Sequence, residues 1–548
     1  MKTRWKILIG VGIFLLLAMA SAWMTAHHRP QSAVEAYKKL LREKGEKLEI
    51  SEVSPPPVPA ESNSVEDVRA AFRMIGSSDA KIPFAMKLVA PGKAMVGWRQ
   101  PEAVGDDFTN SWEDLAAEMA VNRQTIELLE KVLDRPKLDF QLDYKKNFEL
   151  LLPHLAPMKR SAQHLAAAAI LNLHAGNPGA AATNILVMLG LVQRNRDEGI
   201  LISHLVRIAI ASIALAPTWE LLQATNVTDA QLAAVQKSRE QLDFMGEATN
   251  AIMVERAWGV EIIEKARSSH ENFQKIFGFS TTLSGSSGGA SSSLWDWPPD
   301  WQAITEKPRY AVGEVMWRSS WSYSEEFHAL QGQQIVLETL RAMQTNRSQF
   351  YKADYDAMQK HLSSLGITNV GAGFFKALNI PDMEEIFGDF YFGNVVSKVL
   401  RVETAGRIVD TAIALKRFQL KHGKWPEKLD ELAPEFMASV RIDPYDGKPL
   451  KYHATADGGY LLYSVGEDGT DDGGDPSLPP AVTSNSMQWQ NAKARDWVWP
   501  QPATAAEVKS YYDAIAAKAA AEAAAETNGG TLEAPAPVPA PPQPAGTN

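Results

Sequence analysis

Long stretches with apolar residues at helical spacing fill most of the chain between residues 65 and 400, and they constrain the fold most strongly. They cover residues 112–133, 148–174, 180–196, 200–216, 230–242, 247–269 and 325–365. No helical pair repeats at a fixed period, which argues against a solenoid. The pattern therefore predicts a mainly α protein in which residues 65–400 form an irregular helical bundle.

The stretch from residue 200 to 216 is apolar enough to be compared with a membrane span. His204 and Arg207 interrupt its apolar residues. Because a charged group is costly in hydrocarbon, we expect a buried helix of the bundle, stopped or kinked at Pro217.

The amino terminus contains an uncharged run, residues 7–26, preceded by Lys2, Arg4 and Lys6. The basic flank is expected to stay in the cytoplasm, and about 20 apolar residues are enough to cross a bilayer. We therefore expect residues 7–26 to anchor the protein in the inner membrane, with its bulk extracytoplasmic (periplasmic). The alternative is export after signal-peptide cleavage near Ala22, because small residues follow the apolar core.

Composition excludes several classes of function. The chain contains no cysteine, so disulfides, cysteine-ligated zinc, iron–sulfur clusters and cysteine nucleophiles are ruled out. The net charge of -10 argues against sequence-independent binding of nucleic acid, which requires a basic face. We expect the membrane and unidentified proteins as partners, and no nucleic acid.

The region from residue 402 to 476 has the most informative order of elements. A helical stretch with an apolar stripe ends at Gly423, and a short second helix begins at Pro426. Turn signals then separate two strands, at residues 450–452 and 460–464. A loop rich in glycine and acid follows. The order predicts a small α+β module.

Three runs of residues carry a resemblance to a known family. They read ALKRFQLKHGKWP at residues 414–426, DPYDGKPLKY at 443–452 and LYSVGEDG at 462–469, followed by acids and glycines to Asp475. The order resembles the C-terminal domain of the major pseudopilin of bacterial type II secretion systems, over about residues 403–476. The resemblance implies a helix packed on a small antiparallel sheet, with a calcium site in the last loop. In that family the amino-terminal helix carries a processed Gly and an early Glu and is continuous with this domain. This chain lacks such a start, so the module is expected to be grafted onto a different, helical protein.

The acidic loop could bind calcium on chemical grounds alone. Five carboxylates fall within residues 467–475 among four glycines at 466–474. Calcium accepts about six to eight oxygens at flexible angles, and glycine lets a loop wrap around it. The spacing is not that of an EF-hand, because Pro479 occupies the position of the closing Glu. The alternative is a solvated acidic turn.

The resemblance also implies particular ligands in this loop. Asp468 and Asp475 match the side-chain ligands of the family. Val465 and Gly473 match the positions whose carbonyls bind the metal. Asp471 and Asp472 are further candidates beside them.

The sequence names no catalytic residue. His164 and His174 lack zinc-hydrolase spacing, and His154, His204, His328 and His361 occur singly in helical patterns, as core or surface residues do. A Gly-x-Ser-x-Gly match at residues 285–289 lies in a Ser/Gly tract without the strand and helix that a nucleophile elbow needs.

These observations predict the following organisation: a signal anchor at residues 1–30, a helical stalk and Pro-rich linker at 31–64, a helical domain at 65–400 with a Ser/Gly-rich loop at 280–293, the pseudopilin-like module at 401–480, an extension at 481–513, and an Ala-rich helix with a Pro-rich disordered tail at 514–548. The helix at residue 402 is expected to begin upstream and join the module to the bundle. We expect a non-catalytic structural or protein-interaction protein. The alternatives are an extracytoplasmic hydrolase with its site in the helical domain, and a true secretion pseudopilin.

Overall fold

The computed structural model describes residues 29–76, 80–283, 314–367, 392–456, 458–478, 489 and 493–528. The predicted membrane segment at residues 7–26 lies outside the described residues. So do residues 284–293 of the predicted Ser/Gly-rich loop and the Pro-rich tail from residue 529. Within the described residues the protein is mainly helical, with small sheets, and the predicted fold class is confirmed at that level.

The first described helix, α1 (residues 29–43), lies in the predicted helical stalk and packs on the bundle. Its Val34 and Leu41 are buried against Leu330. Just after α1, the Glu46 carboxylate accepts a hydrogen bond from Arg256 Nη2 at 2.7 Å, and Arg256 is fully buried. Leaving either buried charge unpaired would be costly, so this contact holds the amino-terminal segment in place.

Short strands, which were not predicted, interrupt the amino-terminal part of the predicted helical domain. After α2 (Ile50–Val53) and α3 (Val65–Met74) come four strands: β1 (Lys87–Ala90), β2 (Lys93–Met95), β3 (Ala103–Val104) and β4 (Thr109–Asn110). The pairs β1–β2 and β3–β4 are antiparallel. Strands of two to four residues are too short for a period-two pattern to reveal.

The core of the bundle follows the predicted helices closely. It consists of α4 (Trp112–Val121), α5 (Arg123–Glu130), α6 (Leu155–His174), α7 (Pro178–Arg194), α8 (Leu201–Leu222), α9 (Asp229–Arg239) and α10 (Phe244–Ser268). Capping residues set several starts: Asn177 accepts from Ala180 N before α7, and Thr228 from Gln231 N before α9.

Helix α8 is, within the described residues, the one helix long and apolar enough to cross a membrane by composition. It packs against α6, α7 and α10. Arg207 is 1% exposed and paired with Glu247 of α10. This agrees with the predicted bundle helix. The sequence predicted a stop or a kink at Pro217; the helix does not stop there, because α8 continues to Leu222.

The carboxyl-terminal half adds further helices and the module. Helix α11 (His270–Leu283) continues four residues into the segment predicted as a loop. Then come α12 (Ser322–Thr345), preceded by a π-helical turn at Trp317–Trp321, and α13 (Tyr351–Ser364). Helix α14 (Phe392–His422) begins upstream of residue 402, as predicted, and packs on both the bundle and the module.

The module's sheet has three antiparallel strands, in the order β5 (Lys451–Ala454), β6 (Tyr460–Ser464) and β7 (Trp497–Val498). The first two agree with the predicted strands. The third comes from the extension, which the sequence left outside the module. The predicted second helix is a single 3-10 turn, Leu429–Leu432.

The extension then returns to the beginning of the helical domain. Strand β8 (Gln501–Pro502) pairs in parallel with β2, and the Trp219 indole of α8 donates to the carbonyl of Pro500 at 2.9 Å. Trp497 and Trp499, which precede this contact in the chain, are both buried. A last helix, α15 (Ala505–Asn528), follows. The module is thus held to the bundle at both of its ends.

Candidate functional site

The acidic loop predicted as a calcium site runs from the end of β6 to residue 475, and its carboxylates have partners in the loop or beside it. Asp468 accepts from Thr470 N at 2.9 Å, and Asp471 accepts from the Tyr463 hydroxyl at 2.9 Å. Asp475 accepts from the backbone and hydroxyl of Ser477, and these bonds lower the pKa of its carboxyl group. The predicted side chains thus lie in one loop, each with a bond of its own.

Two residues from the extension complete the loop, and the sequence did not point to either. Arg495 Nη1 lies 3.2 Å from the Asp472 carboxylate, and Arg495 Nε lies 3.6 Å from that of Asp475. Asp496 is buried and accepts from the N–H groups of Gly474 and Asp475 at 2.7 and 3.1 Å. Burial raises the pKa of Asp496 to about 6, although these N–H groups oppose the shift.

A buried carboxylate fixes the start of the loop. Asp443, from the DPYDG turn, accepts from the Ser464 hydroxyl and from Val465 N, both at 2.9 Å. Gly466 follows with φ +72°, a backbone conformation that favours glycine. The DPYDG turn and the loop of the family resemblance therefore meet in space.

The oxygen atoms of the loop, from carboxylates and backbone carbonyls, are of the kinds that calcium prefers as ligands. The carbonyls of Val465 and Gly473 accept none of the hydrogen bonds found in the described part of the chain. Arg495 already faces two of the carboxylates and would compete with a cation there. Within the described residues, no three His, Asp or Glu side chains converge as a metal site. The resemblance implies only two carboxylate ligands, Asp468 and Asp475, so this absence does not test it. Calcium binding stays a prediction.

A cavity of about 510 Å³ opens on the helical domain, between α3, the segment 140–153 and the start of α6. Apolar side chains form much of its lining: Phe72, Phe140, Leu142, Leu150, Pro153 and Pro157. The segment 140–153 contains two non-glycine residues with positive φ, Gln141 at 58° and Asn147 at 51°. Such strained backbone clusters at functional sites.

His154 lies at the floor of this cavity and forms an acid–base pair with Glu198. Its Nε2 is 3.1 Å from both oxygens of the Glu198 carboxylate, and its ring stacks on Phe140 with centroids 4.1 Å apart. The carboxylate also accepts from Asn195 Nδ2 at 2.9 Å and from the Ser203 hydroxyl. Both members of the pair are buried.

The protonation of this pair follows from its hydrogen bonds. Burial acts to raise the pKa of Glu198, but the bonds from His154, Ser203 and Asn195 outweigh it, so the pKa is lowered. An ionised carboxylate only accepts, so His154 Nε2 carries a proton. The other ring nitrogen, Nδ1, bonds to no residue in the described ranges. Sequence reasoning missed this pair because its members lie on different helical segments.

Comparison with known proteins gives no family for this chain. No protein-family model, no curated protein and no solved structure matches it. The pseudopilin resemblance therefore rests on the residues of the module alone and remains a prediction.

Proposed function

We propose that the protein is an exported, membrane-anchored structural or protein-interaction protein that holds a pseudopilin-like, calcium-binding module on a helical domain. The observation that carries this proposal is the way the module joins the bundle. Helix α14 belongs to both, and the extension passes through the module's sheet before pairing with β2. A module held at both ends presents its acidic loop in a fixed orientation, which suits a scaffold.

Polar contacts across the junction support the same proposal. The Arg239 guanidinium donates to the α14 residue Asp410 at 2.8 Å, and both side chains are buried. Gln236 Nε2 donates to the Phe436 carbonyl at 2.8 Å, and Arg441 pairs with Glu240 at 2.8 Å. Directional bonds of this kind fix an orientation more than apolar contact alone does.

Calcium binding is tested on the full-length chain in a non-ionic detergent. If calcium binds the folded state alone, a hundredfold excess over Kd adds about 2.7 kcal/mol to the free energy of unfolding. Millimolar calcium should therefore raise the melting temperature, and Asp468→Ala with Asp475→Ala should abolish that response. Glu102→Ala with Asp107→Ala, which removes two exposed acids elsewhere, should keep it. An unchanged melting curve of the wild type would show that the loop is an acidic turn.

The interaction role and the membrane anchor need separate tests in cells. A photo-crosslinking residue at the exposed Thr470 should capture a partner, and the same residue at the exposed Glu102 should not. Identical crosslinks at both positions, or none, would contradict a docking role for the loop. Fractionation should recover the chain with the inner membrane, and a soluble form beginning at Trp23 would show cleavage instead.

The hydrolase remains a second candidate because one observation favours it. His154 and Glu198 form a hydrogen-bonded pair of the kind that acts as general base in hydrolases, at the floor of a cavity. No Ser or Thr side chain lines this cavity among the described residues, so water would be the nucleophile. His154→Gln, which keeps a donor toward Glu198 and removes the base, should abolish turnover of an ester substrate. Turnover that survives this change would exclude the pair.

A further inference from the structure

We infer that the cavity at His154 binds a small anionic amphiphile, a ligand with an anionic head, an apolar body and a hydroxyl group at its buried end. This inference stands apart from the structural role proposed above and needs no turnover. It rests on three features of the cavity: the charges at its mouth, its apolar walls and the unpaired ring nitrogen at its floor.

Two cationic side chains at the mouth of the cavity take part in no ion pair with the described residues. Arg73 and Lys146 are both exposed, line the cavity and form no ion pair with any residue in the described ranges. The third cation, Arg69, is held by Glu66 at 3.1 Å and by the Phe140 carbonyl at 2.9 Å. The two unpaired cations are available to an anionic head.

The acidic side chains at the mouth do not cancel the preference of the cavity for an anionic head. The Glu149 carboxylate is neutralised by Lys275 at 2.7 Å, a residue outside the cavity lining. Asp143 accepts from Lys145 N at 3.2 Å and forms no ion pair with the described residues. Asp143 therefore weakens binding of an anion, and its removal should strengthen it.

The walls select an apolar body. Phe72 and Phe140 stack with their ring centroids 6.0 Å apart, and Leu142, Leu150 and Pro157 are half-buried around them. A cavity of about 510 Å³ is of the size that holds small organic ligands. Burial of an aliphatic or aromatic body against these side chains supplies the affinity.

The floor selects a hydrogen-bonding group at the far end of the ligand. Because Nε2–H of His154 is committed to Glu198, Nδ1 is left without a partner among the described residues. A hydroxyl group can donate to Nδ1 or accept from it, whereas a methyl group would leave this nitrogen unpaired. The site therefore combines a cationic mouth with a polar floor.

The test measures binding of three probes with one chain length to the full-length protein, by ligand-observed NMR. The probes are 10-hydroxydecanoate, decanoate and decylammonium. We expect the hydroxy acid to bind at least fivefold more tightly than decanoate, and decylammonium to bind most weakly. Equal binding of the anionic and cationic probes would overturn the inference.

Variants assign the binding to this cavity. Arg73→Gln with Lys146→Gln should weaken binding of both anions at least tenfold, and Asp143→Asn should tighten it. Lys145→Gln with Lys159→Gln makes the same change in net charge at exposed lysines that do not line the cavity, and should leave binding unchanged. An equal loss in both double variants would show nonspecific attraction and refute the assignment.

His154→Phe with Glu198→Gln separates the floor from the mouth. The phenyl ring removes both ring nitrogens and can still stack on Phe140, and the glutamine avoids leaving a buried carboxylate without its partner. The advantage of the hydroxy acid over decanoate should therefore disappear. Decanoate itself should still bind. A preserved advantage would show that His154 does not contact the ligand.

Discussion

Replacing Glu220 with glutamine should remove a pH-dependent loss of stability from the contact between α8 and the amino-terminal strands. The carboxyl group is 0% exposed and accepts from Met86 N at 2.8 Å and from Gly97 N at 3.0 Å. Burial raises its pKa to about 8, although these N–H groups favour the charged form. In the unfolded chain the group returns to an ordinary pKa near 4.5.

The sign and size of the effect follow from these two values. Between them the folded chain holds a proton that the unfolded chain has released, so stability falls as the pH rises. Between pH 6 and pH 8 the wild type should lose about 2 kcal/mol relative to Glu220→Gln, since one pKa unit corresponds to about 1.4 kcal/mol. The glutamine oxygen can still accept from Met86 and Gly97, so the variant should fold.

The assay is urea unfolding of both full-length chains in a non-ionic detergent at pH 6, 7 and 8. Glu102→Gln, the same change at an exposed site, should follow the wild type at every pH. If the difference between Glu220→Gln and the wild type stays constant from pH 6 to pH 8, then Glu220 is ionised in the folded protein and the reasoning fails.

Three further changes test other contacts in the fold. Glu46→Gln removes the charge that pairs with the buried Arg256 and should cost about 3–5 kcal/mol, seen as a lower urea midpoint and early proteolysis of residues 29–48; normal stability would show that the pair is hydrated. Gly466→Ala places a side chain at φ +72°, where its Cβ would lie 2.9 Å from a backbone oxygen, and should lower the stability by about 1–3 kcal/mol in the same titration. Trp219→Phe removes the indole donor to the returning extension and should cost about 1–3 kcal/mol, with faster hydrogen exchange at residues 497–503; unchanged exchange there would refute the role given to this bond.

The sequence predicts those parts of the fold whose pattern is local. The helices of the bundle and strands β5 and β6 have a clear period and clear end signals, such as Asn177 before α7. Pro217 predicted a stop or a kink in α8. The residue is buried by tertiary packing, and the helix continues through it. Packing of both flanking turns outweighs the loss of one backbone hydrogen bond.

The parts that could not be predicted depend on residues far apart in the chain. Arg495 and Asp496 reach the acidic loop only because the extension folds back as β7, and nothing in its sequence indicates that pairing. His154 and Glu198 lie 44 residues apart in the chain, belong to no motif, and meet only when the segments pack. A buried histidine hydrogen-bonded to an acid is visible only once the segments are packed.

The central claim is that the module is a fixed part of the helical domain, and limited proteolysis of the full-length chain tests it most directly. Mass spectrometry of the earliest fragments should place the first cuts within residues 280–293 and after Ala514, with residues 400–406 of α14 resistant, because helix α14 is continuous there and packed on both parts. Early cutting between Leu400 and Gly406, with release of an intact module, would contradict the claim.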